Sequence, residues 1–288
     1  MRFTILTLFP EYFSGPLSCS LMGRAISQNL LSVDLVSLRS FGEGKYRAVD
    51  DRPFGGGPGM VMAAPVLERA LAAVLDSASA QASSETLPKT SHSNTIDALA
   101  ADVQRYRRGL ASGVLPEPFG LLDSAHSRGA LPFVIYLSPQ GQQLTPSRAR
   151  QLLVSSQHFI LICGHYEGVD ERFLETFVHQ EISVGDYILT GGEPAALTLL
   201  DVLSRFIDGV VGDPLSVTSD TFEAQATDVV PGGLKYPVYT RPAHWRGLDV
   251  PPVLVSGDHK EISKWRVAQS EERTRQRRPD LGLPGPKR

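Results

Sequence analysis

The sequence predicts an α/β protein built on a mostly parallel sheet. Three short apolar runs, which contain Val134, Ile160 and Ile182, follow one another along the chain, and each ends in a loop that carries glycine. Stretches with a helical spacing of apolar residues separate these runs. Strands that alternate with helices are typical of parallel sheets, and such sheets bind ligands where their strands end. We therefore expect a ligand site within residues 159–207.

The elements can be assigned in chain order. Runs rich in β-forming residues predict strands over residues 3–8, 33–38, 133–137, 159–163 and 181–184. Helical spacing predicts helices over residues 22–31, 65–75, 146–155, from about 169, 194–207 and 258–275. Thr145 and Asp258 stand where N-caps are needed, and Pro146 and Pro194 can open a first turn.

Composition limits the class of protein. A chain of 288 residues with 42% apolar content can form one large or two modest domains. Cys19 and Cys163 are the only cysteines, which excludes a disulfide framework and suits the cytoplasm. No apolar run approaches the roughly 18 residues of a membrane span. We interpret the N-terminus as a first strand and not as a signal peptide. The net charge of −3 confines any nucleic-acid contact to local patches.

Residues 76–131 interrupt the pattern. They are small, polar and poor in apolar side chains over much of their length. Such a stretch buries too little surface to offset the entropy of ordering it. We predict a mostly disordered surface insertion, with a short helix near residues 97–107 as its one candidate element, and exposed side chains for His92 and His126.

Three segments combine cations with aromatic rings or cluster arginines. Residues 39–60 place Arg39, Lys45, Arg47 and Arg52 among three aromatic rings, residues 235–247 repeat this mixture, and residues 273–278 are rich in arginine. Cations beside stacking rings suit a nucleic-acid surface. Composition alone nevertheless favours a solvated loop for residues 39–60, and arginines at a helix end also complement the helix dipole. The glycines of residues 55–59 lack Walker spacing and are a weak phosphate signal.

Seven segments occur in an order that identifies a resemblance. They are RPFGGGPGM, YLSPQG, CGHYEGVDER, SVGDYILTGGE, SRFIDGVVG, YTRP and PPVLVSGDH. The chain resembles the bacterial tRNA (guanine-N1)-methyltransferase family, TrmD, over residues 1–75 and 132–280. The insertion at residues 76–131 and a short tail after Asp280 depart from the family pattern.

The resemblance implies a fold and a domain order. It implies a SPOUT domain over residues 1–212, in which a trefoil-knotted, mostly parallel sheet with helices on both faces bends S-adenosylmethionine. An interdomain linker over residues 213–232 and a small helical tRNA-binding domain over residues 233–288 would follow. The family forms homodimers with the active site between the subunits.

The resemblance also implies site residues. Asp220 would be the base that removes the guanine N1 proton, acting in the partner's pocket, and Arg205 would steady charge on O6. Each has a plainer reading, because Asp220 can cap a helix with Glu223 and Arg205 can pair with Asp201. Cofactor-binding positions would be Tyr136, Leu137, Ser138, Pro139, Gly164, Tyr166, Glu167, Val184, Gly185, Asp186, Tyr187, Ile188, Leu189, Gly191 and Gly192.

Further implied contacts concern metal and RNA. Glu167 would lie near a magnesium ion, while Asp50, Arg52 and Gly59 would contact the tRNA anticodon stem-loop. The implied target is the guanosine 3′-adjacent to the anticodon, guanosine-37. Two alternatives stay open, namely a SPOUT enzyme acting on ribose or rRNA, and a non-catalytic RNA-binding protein of this fold. We interpret His165 as structural and Cys163 as a core residue.

Overall fold

The computed structural model describes residues 1–82, 92–111, 131–213, 217, 220–222 and 228–281. Two compact units divide the chain, Met1–Val210 and Val211–Arg288. Among the helices of the described ranges, none combines the length and apolar character needed to cross a membrane. The predicted domain and linker bounds stay predictions.

The described residues of the first unit form seven strands. They are β1 (Arg2–Thr7), β2 (Ser32–Ser37), β3 (Asp50–Asp51), β4 (Val61–Met62), β5 (Phe133–Gln143), β6 (His158–Cys163) and β7 (Gln180–Ser183). Five of them form one sheet in the order β2-β1-β6-β5-β7, and every pairing in it is parallel. Strands β3 and β4 form a separate antiparallel hairpin. The predicted mostly parallel sheet is confirmed.

Seven helices accompany these strands in the described part of the unit. They are α1 (Ser14–Ser18), α2 (Ser20–Ser27), α3 (Ala64–Ala82), α4 (His92–Ala111), α5 (Pro146–Ser155), α6 (Glu171–Phe177) and α7 (Glu193–Ser204). Short 3-10 turns cover Pro10–Phe13 and Leu38–Phe41. The expected cap of α5 is confirmed, since Thr145 Oγ1 accepts a hydrogen bond from the Arg148 amide at 3.2 Å.

Helices cover both faces of the sheet, as the fold class requires. Successive strand residues point to opposite faces, so Phe159 and Leu161 enter one core while Ile160 and Ile162 enter the other. Side chains from α2, α5 and α7 complete the first core. Those from α3 and α6 complete the second. The sheet is therefore buried on both sides, and its ligand-binding surface is restricted to its edges and strand ends.

The insertion is helical where the structure describes it, and the short helix predicted near residues 97–107 is present as part of a longer one. Helix α3 continues to Ala82, and α4 spans His92–Ala111. Leu99, Val103 and Tyr106 recur at intervals of four and three residues and are at most 6% exposed, so one face of α4 is apolar and packs on the core. The polar residues beside them hid this periodicity. Residues 83–91 and 112–130, and the side chain of His92, lie outside the described residues, as does His126.

The second unit is small and helical. It contains β8 (His244–Trp245), β9 (Leu248–Asp249), α8 (Pro252–Val255) and α9 (His259–Arg277). Asp258 caps α9 by accepting hydrogen bonds from the amides of Lys260 and Glu261, as predicted. Buried Ser270 accepts from the Val230 amide at 3.0 Å and donates to the Leu234 carbonyl at 2.6 Å. These bonds hold residues 230–234, which precede β8, against α9.

Candidate functional site

Three loops surround a cavity of about 440 Å³ at the carboxyl ends of β6 and β7 and beside the middle of β5. This is the ligand-binding end of a parallel sheet, and the volume is within the range of small-molecule sites. The lining residues are Tyr136, Leu137, Ser138, Pro139, Gln140, Gly164, His165, Tyr166, Glu167, Gly168, Ile182, Ser183, Val184, Gly185, Tyr187, Ile188, Leu189, Thr190, Gly191, Gly192 and Ala195.

The structure brings together all the predicted cofactor-binding residues except Asp186, which does not line the cavity. Residues that sequence reasoning missed include Gln140, Ile182 and Ser183, because a strand pattern does not reveal which strand residues reach a ligand. His165 was interpreted as structural, yet it also lines the cavity. That these residues bind a cofactor stays a prediction.

The first loop is a bulge within β5. Leu137 and Gln142 both pair with Ile182 of β7, so the residues between them are looped out of the ladder. The bulge carries Ser138 to Gln140 to the cavity, and Ser138 Oγ accepts a hydrogen bond from the Gln140 amide at 3.1 Å. A Cβ on Gly141 would lie 2.4 Å from the Glu181 carbonyl carbon. Only glycine therefore lets the strand rejoin the sheet.

The second loop follows β6 and turns sharply. Tyr166 has a φ of +60° and Gly168 a φ of +124°, both in the left-handed region. The Tyr136 ring lies beside Gly164, where a Cβ would approach its hydroxyl to 2.6 Å. Burial, with help from Glu181 and Glu171, raises the pKa of Tyr136 to about 12. Tyr136 is therefore a neutral phenol at physiological pH, so the cavity wall carries an uncharged hydroxyl.

A segment outside the sheet supports the second loop. The Met62 amide donates to the Gly168 carbonyl at 2.9 Å, and the Glu167 amide donates to the Met60 carbonyl at 3.0 Å. Met60 follows the glycine-rich segment 55–59. The predicted RNA contacts Asp50, Arg52 and Gly59 therefore belong to the β3–β4 hairpin, which is bonded to the cavity loop. Phe54, in the same hairpin, is 98% exposed.

The third loop connects β7 with α7. Tyr187 and Ile188 are 56% and 83% exposed at the cavity. The Gly192 amide donates to the Gly164 carbonyl at 2.8 Å, which joins the third loop to the second. A Cβ on Gly192 would lie 2.6 Å from the Cα of Cys163. Burial is the main cause that raises the pKa of the Cys163 thiol well above its usual value, in agreement with its interpretation as a core residue.

The predicted catalytic pair belongs to the two separate units. Arg205 is the C-cap residue of α7 and is exposed. Asp220 is partly buried, and its Oδ1 accepts a hydrogen bond from the Thr221 amide at 2.9 Å. Glu223, the partner in the capping alternative, lies outside the described residues. The catalytic roles stay predictions.

The predicted magnesium site has no support in the described ranges. No group of three or more His, Cys, Asp or Glu side chains in them is arranged to hold a metal ion. Glu167 therefore does not belong to a cluster of three such side chains in these ranges. The role of Glu167 beside a magnesium ion stays a prediction.

Two of the four arginines in residues 273–278, at the end of α9, form ion pairs. Arg275 pairs with Glu272 at 2.8 Å, and Arg278 pairs with Asp280 at 2.7 Å. Salt bridges of Arg273 and Arg277 are absent from the part of the chain that the structure describes. The predicted cationic cluster therefore offers these two arginines to a phosphate before any pair has to break.

Comparison with known proteins gives consistent matches. A family model described as tRNA (Guanine-1)-methyltransferase TrmD matches residues 1–101 and 108–283. Three curated relatives carry the name tRNA (guanine-N(1)-)-methyltransferase. The relative from Chlamydia pneumoniae is 43% identical, with 98% of this chain and 61% of the relative covered. Those from Endomicrobium trichonymphae and Moorella thermoacetica are 40% and 41% identical, with 98% of this chain and 99% and 90% of the relatives covered.

Proposed function

The chain belongs to the tRNA (guanine-1)-methyltransferase family TrmD, and we propose that it transfers a methyl group from S-adenosylmethionine to N1 of a guanine in tRNA. The observation that supports this most directly is the cavity of about 440 Å³ formed by the bulge of β5 and the loops after β6 and β7. Its walls combine apolar side chains with glycine-bearing backbone. Such walls cover an adenine ring and hydrogen-bond its edge without a charged side chain.

The reaction requires a proton acceptor and does not require a protein nucleophile. S-adenosylmethionine supplies a methyl group on a positively charged sulfur. Guanine N1 displaces the sulfur directly, so the N1–CH₃ bond forms as the S–CH₃ bond breaks and neutral S-adenosylhomocysteine leaves. The N1 proton must pass to a base, and a donor near O6 stabilises the charge that grows there.

We assign the base to Asp220 and the donor to Arg205. The amide of Thr221 already donates to one carboxylate oxygen of Asp220. That hydrogen bond orients the carboxylate, and an ionised carboxylate is an acceptor at both of its oxygens, as a base for the N1 proton must be. Arg205 carries a planar guanidinium whose several N–H groups can donate to O6.

We further propose guanosine-37 as the target, within the anticodon stem-loop, and a homodimer as the active form. Support for the dimer comes from Tyr187 and Ile188, whose exposed apolar surface beside the cavity suits a second subunit. We place the enzyme in the cytoplasm, where Cys19 and Cys163 would remain the free thiols observed here. The proposed reaction contains no step that depends on magnesium.

The test is methyl transfer to tRNA transcripts that carry guanosine or adenosine at the target position. Nuclease digestion and mass spectrometry of the product distinguish N1-methylguanosine from a ribose-methylated nucleoside. We expect N1-methylguanosine from the guanosine transcript alone. Ribose methylation would favour the alternative SPOUT reaction, and tRNA binding without any transfer would favour the non-catalytic alternative.

The base assignment is tested with Asp220→Ala. We expect turnover to fall by at least about 100-fold, the size of a typical general-base contribution, with S-adenosylmethionine affinity retained in calorimetry. The matched control is Asp34→Ala, at a carboxylate on the outer strand β2. Equal activities for the two variants would contradict the assignment of Asp220 and leave the methyltransferase proposal standing.

A further inference from the structure

A buried carboxylate lies directly behind the cavity. Glu193 is 2% exposed, and it does not itself line the cavity. Its Oε1 accepts a hydrogen bond from Thr7 Oγ1 at 2.6 Å. Nε2 of His165 lies 2.8 Å and 2.9 Å from its two oxygens. We call Thr7, His165 and Glu193 the latch.

The hydrogen bonds of the latch show which of its atoms donate and which accept. An ionised carboxylate can only accept, so Nε2 of His165 carries the shared hydrogen. The Phe9 amide donates to Thr7 Oγ1 at 2.9 Å, which leaves the Thr7 hydroxyl hydrogen for Glu193. Glu193 is also the first residue of α7, where the helix dipole favours a negative charge. Thr7 and His165 thus both donate to the buried carboxylate.

The latch joins elements that are distant in the chain. Thr7 ends β1, His165 belongs to the loop after β6, and Glu193 begins the helix after the third loop. Backbone packing is tight around the pair, since a Cβ on Gly191 would lie 2.3 Å from His165 Cε1 and 2.7 Å from Glu193 Oε2. The second and third cavity loops are therefore fixed to each other by a side-chain pair.

His165 transmits this constraint to the cavity. Its side chain is 13% exposed, it lines the cavity, and the ring of Phe9 packs against it edge-on at 5.1 Å. Its backbone amide contacts the sulfur of Met62 at 3.2 Å. Tyr166 and Glu167, which line the cavity too, follow it immediately. A displaced imidazole would therefore move the wall that these residues form.

We propose that Glu193 is a positioning residue, which holds His165 and, through it, the second loop in the geometry that binds the methyl donor. This inference rests on the proposed function, because it concerns the affinity of the same cavity for S-adenosylmethionine. Glu193 acts without touching the ligand. A purely structural pair would instead contribute to folding stability alone.

The experiment compares Glu193→Gln, His165→Ala and the double variant with a matched control, Glu171→Gln. Glu171 is likewise the first residue of a helix, α6, but its side chain is exposed. For each protein, the dissociation constant of S-adenosylmethionine is measured by calorimetry, kcat and KM by methyl transfer, and stability by urea unfolding. His165→Ala keeps the test informative if Glu193→Gln does not fold.

We expect each single variant to raise Kd and KM for S-adenosylmethionine about tenfold, a misplacement effect, with kcat at saturating donor within about twofold of wild type. The double variant should be no weaker than the weaker single variant, because both remove one latch. Variants that lose stability while keeping wild-type affinity would overturn the positioning role alone. A wild type that binds no S-adenosylmethionine would overturn the proposed function as well, so the two failures are distinguishable.

Discussion

A Cβ placed on Gly59 would lie 2.4 Å from both Cγ and Oε1 of Glu167. No folded protein tolerates a contact this short. Gly59 also has a φ of +87°, which a residue with a side chain seldom adopts. The glycine-rich segment and the cavity loop therefore approach each other as closely as two backbones and one glutamate side chain permit.

Gly59→Ala should therefore weaken ligand binding in the cavity as well as destabilise the β3–β4 hairpin. The backbone strain costs about 1–2 kcal/mol, and the new methyl also forces Glu167 into another rotamer. We expect S-adenosylmethionine affinity, measured by calorimetry, to fall several-fold. Gly55→Ala is the matched control, since Gly55 has the same φ of +87° but nothing within 4 Å of its Cβ position. Equal affinities in the two variants would show that the contact with Glu167 is unimportant.

Gly141→Ala should disrupt the β5–β7 pairing. The atoms in its way are the Glu181 carbonyl carbon and the Ile182 nitrogen, both at 2.4 Å, and backbone cannot move aside as a side chain can. We expect a loss of about 3 kcal/mol in the free energy of unfolding in urea, at the upper end for overpacking. Gly15→Ala, in α1 with open space around it, should be neutral or stabilising. A tolerated Gly141→Ala would mean that the bulge can reposition.

The docking of α4 gives a third prediction, which concerns Arg107. Its guanidinium donates to the Leu174 carbonyl at 2.8 Å and to the Val178 carbonyl at 3.1 Å, at the end of α6. Arg107→Ala leaves these carbonyls without that donor and should cost about 1–3 kcal/mol in urea unfolding. Arg108→Ala, at the exposed neighbouring position, should change stability by less than about 0.5 kcal/mol. If Arg107→Ala and Arg108→Ala have the same free energy of unfolding, the hydrogen bonds of Arg107 do not stabilise the packing of α4 on α6.

Sequence patterns predicted the strands of the sheet well where burial requires apolar residues. The strand over residues 159–163 is observed at His158–Cys163, because a strand buried on both faces needs a continuous apolar run. The end of β5 was missed. Pro139 and Gly141 signal a turn, so residues 133–137 were predicted, whereas the strand resumes after the bulge and continues to Gln143. Local turn chemistry cannot show that a strand rejoins its ladder.

The candidate site was only partly predictable for a related reason. Loop residues such as Ser138 and Tyr166 belong to recognisable motifs, and both line the cavity. The latch has no such local signal, because Thr7 and Glu193 are separated by 186 positions in the chain. Their contact follows from the sheet order that places β1 beside β6, and no periodicity in the sequence encodes that order.

A half-buried histidine gives a prediction about acid stability. His158 begins β6, and its Nε2 lies 2.9 Å from Thr4 Oγ1. Burial, and then the nearby charge of Arg2, lower the pKa of His158 to about 4, while Asp34 acts weakly in the opposite direction. In the unfolded chain the pKa returns to about 6.5. The unfolded state therefore binds more protons than the folded state between these two values.

Folding stability should fall as the pH is lowered from about 6.5 to about 4, because protons drive the protein toward the state that binds more of them. For His158 alone the loss approaches about 3 kcal/mol over this window. His158→Gln should make the dependence of unfolding free energy on pH flatter by on the order of 1 kcal/mol per pH unit. His179, whose pKa burial also lowers, leaves a residual slope of the same sign. An unchanged slope in His158→Gln would show that His158 is not the group that titrates.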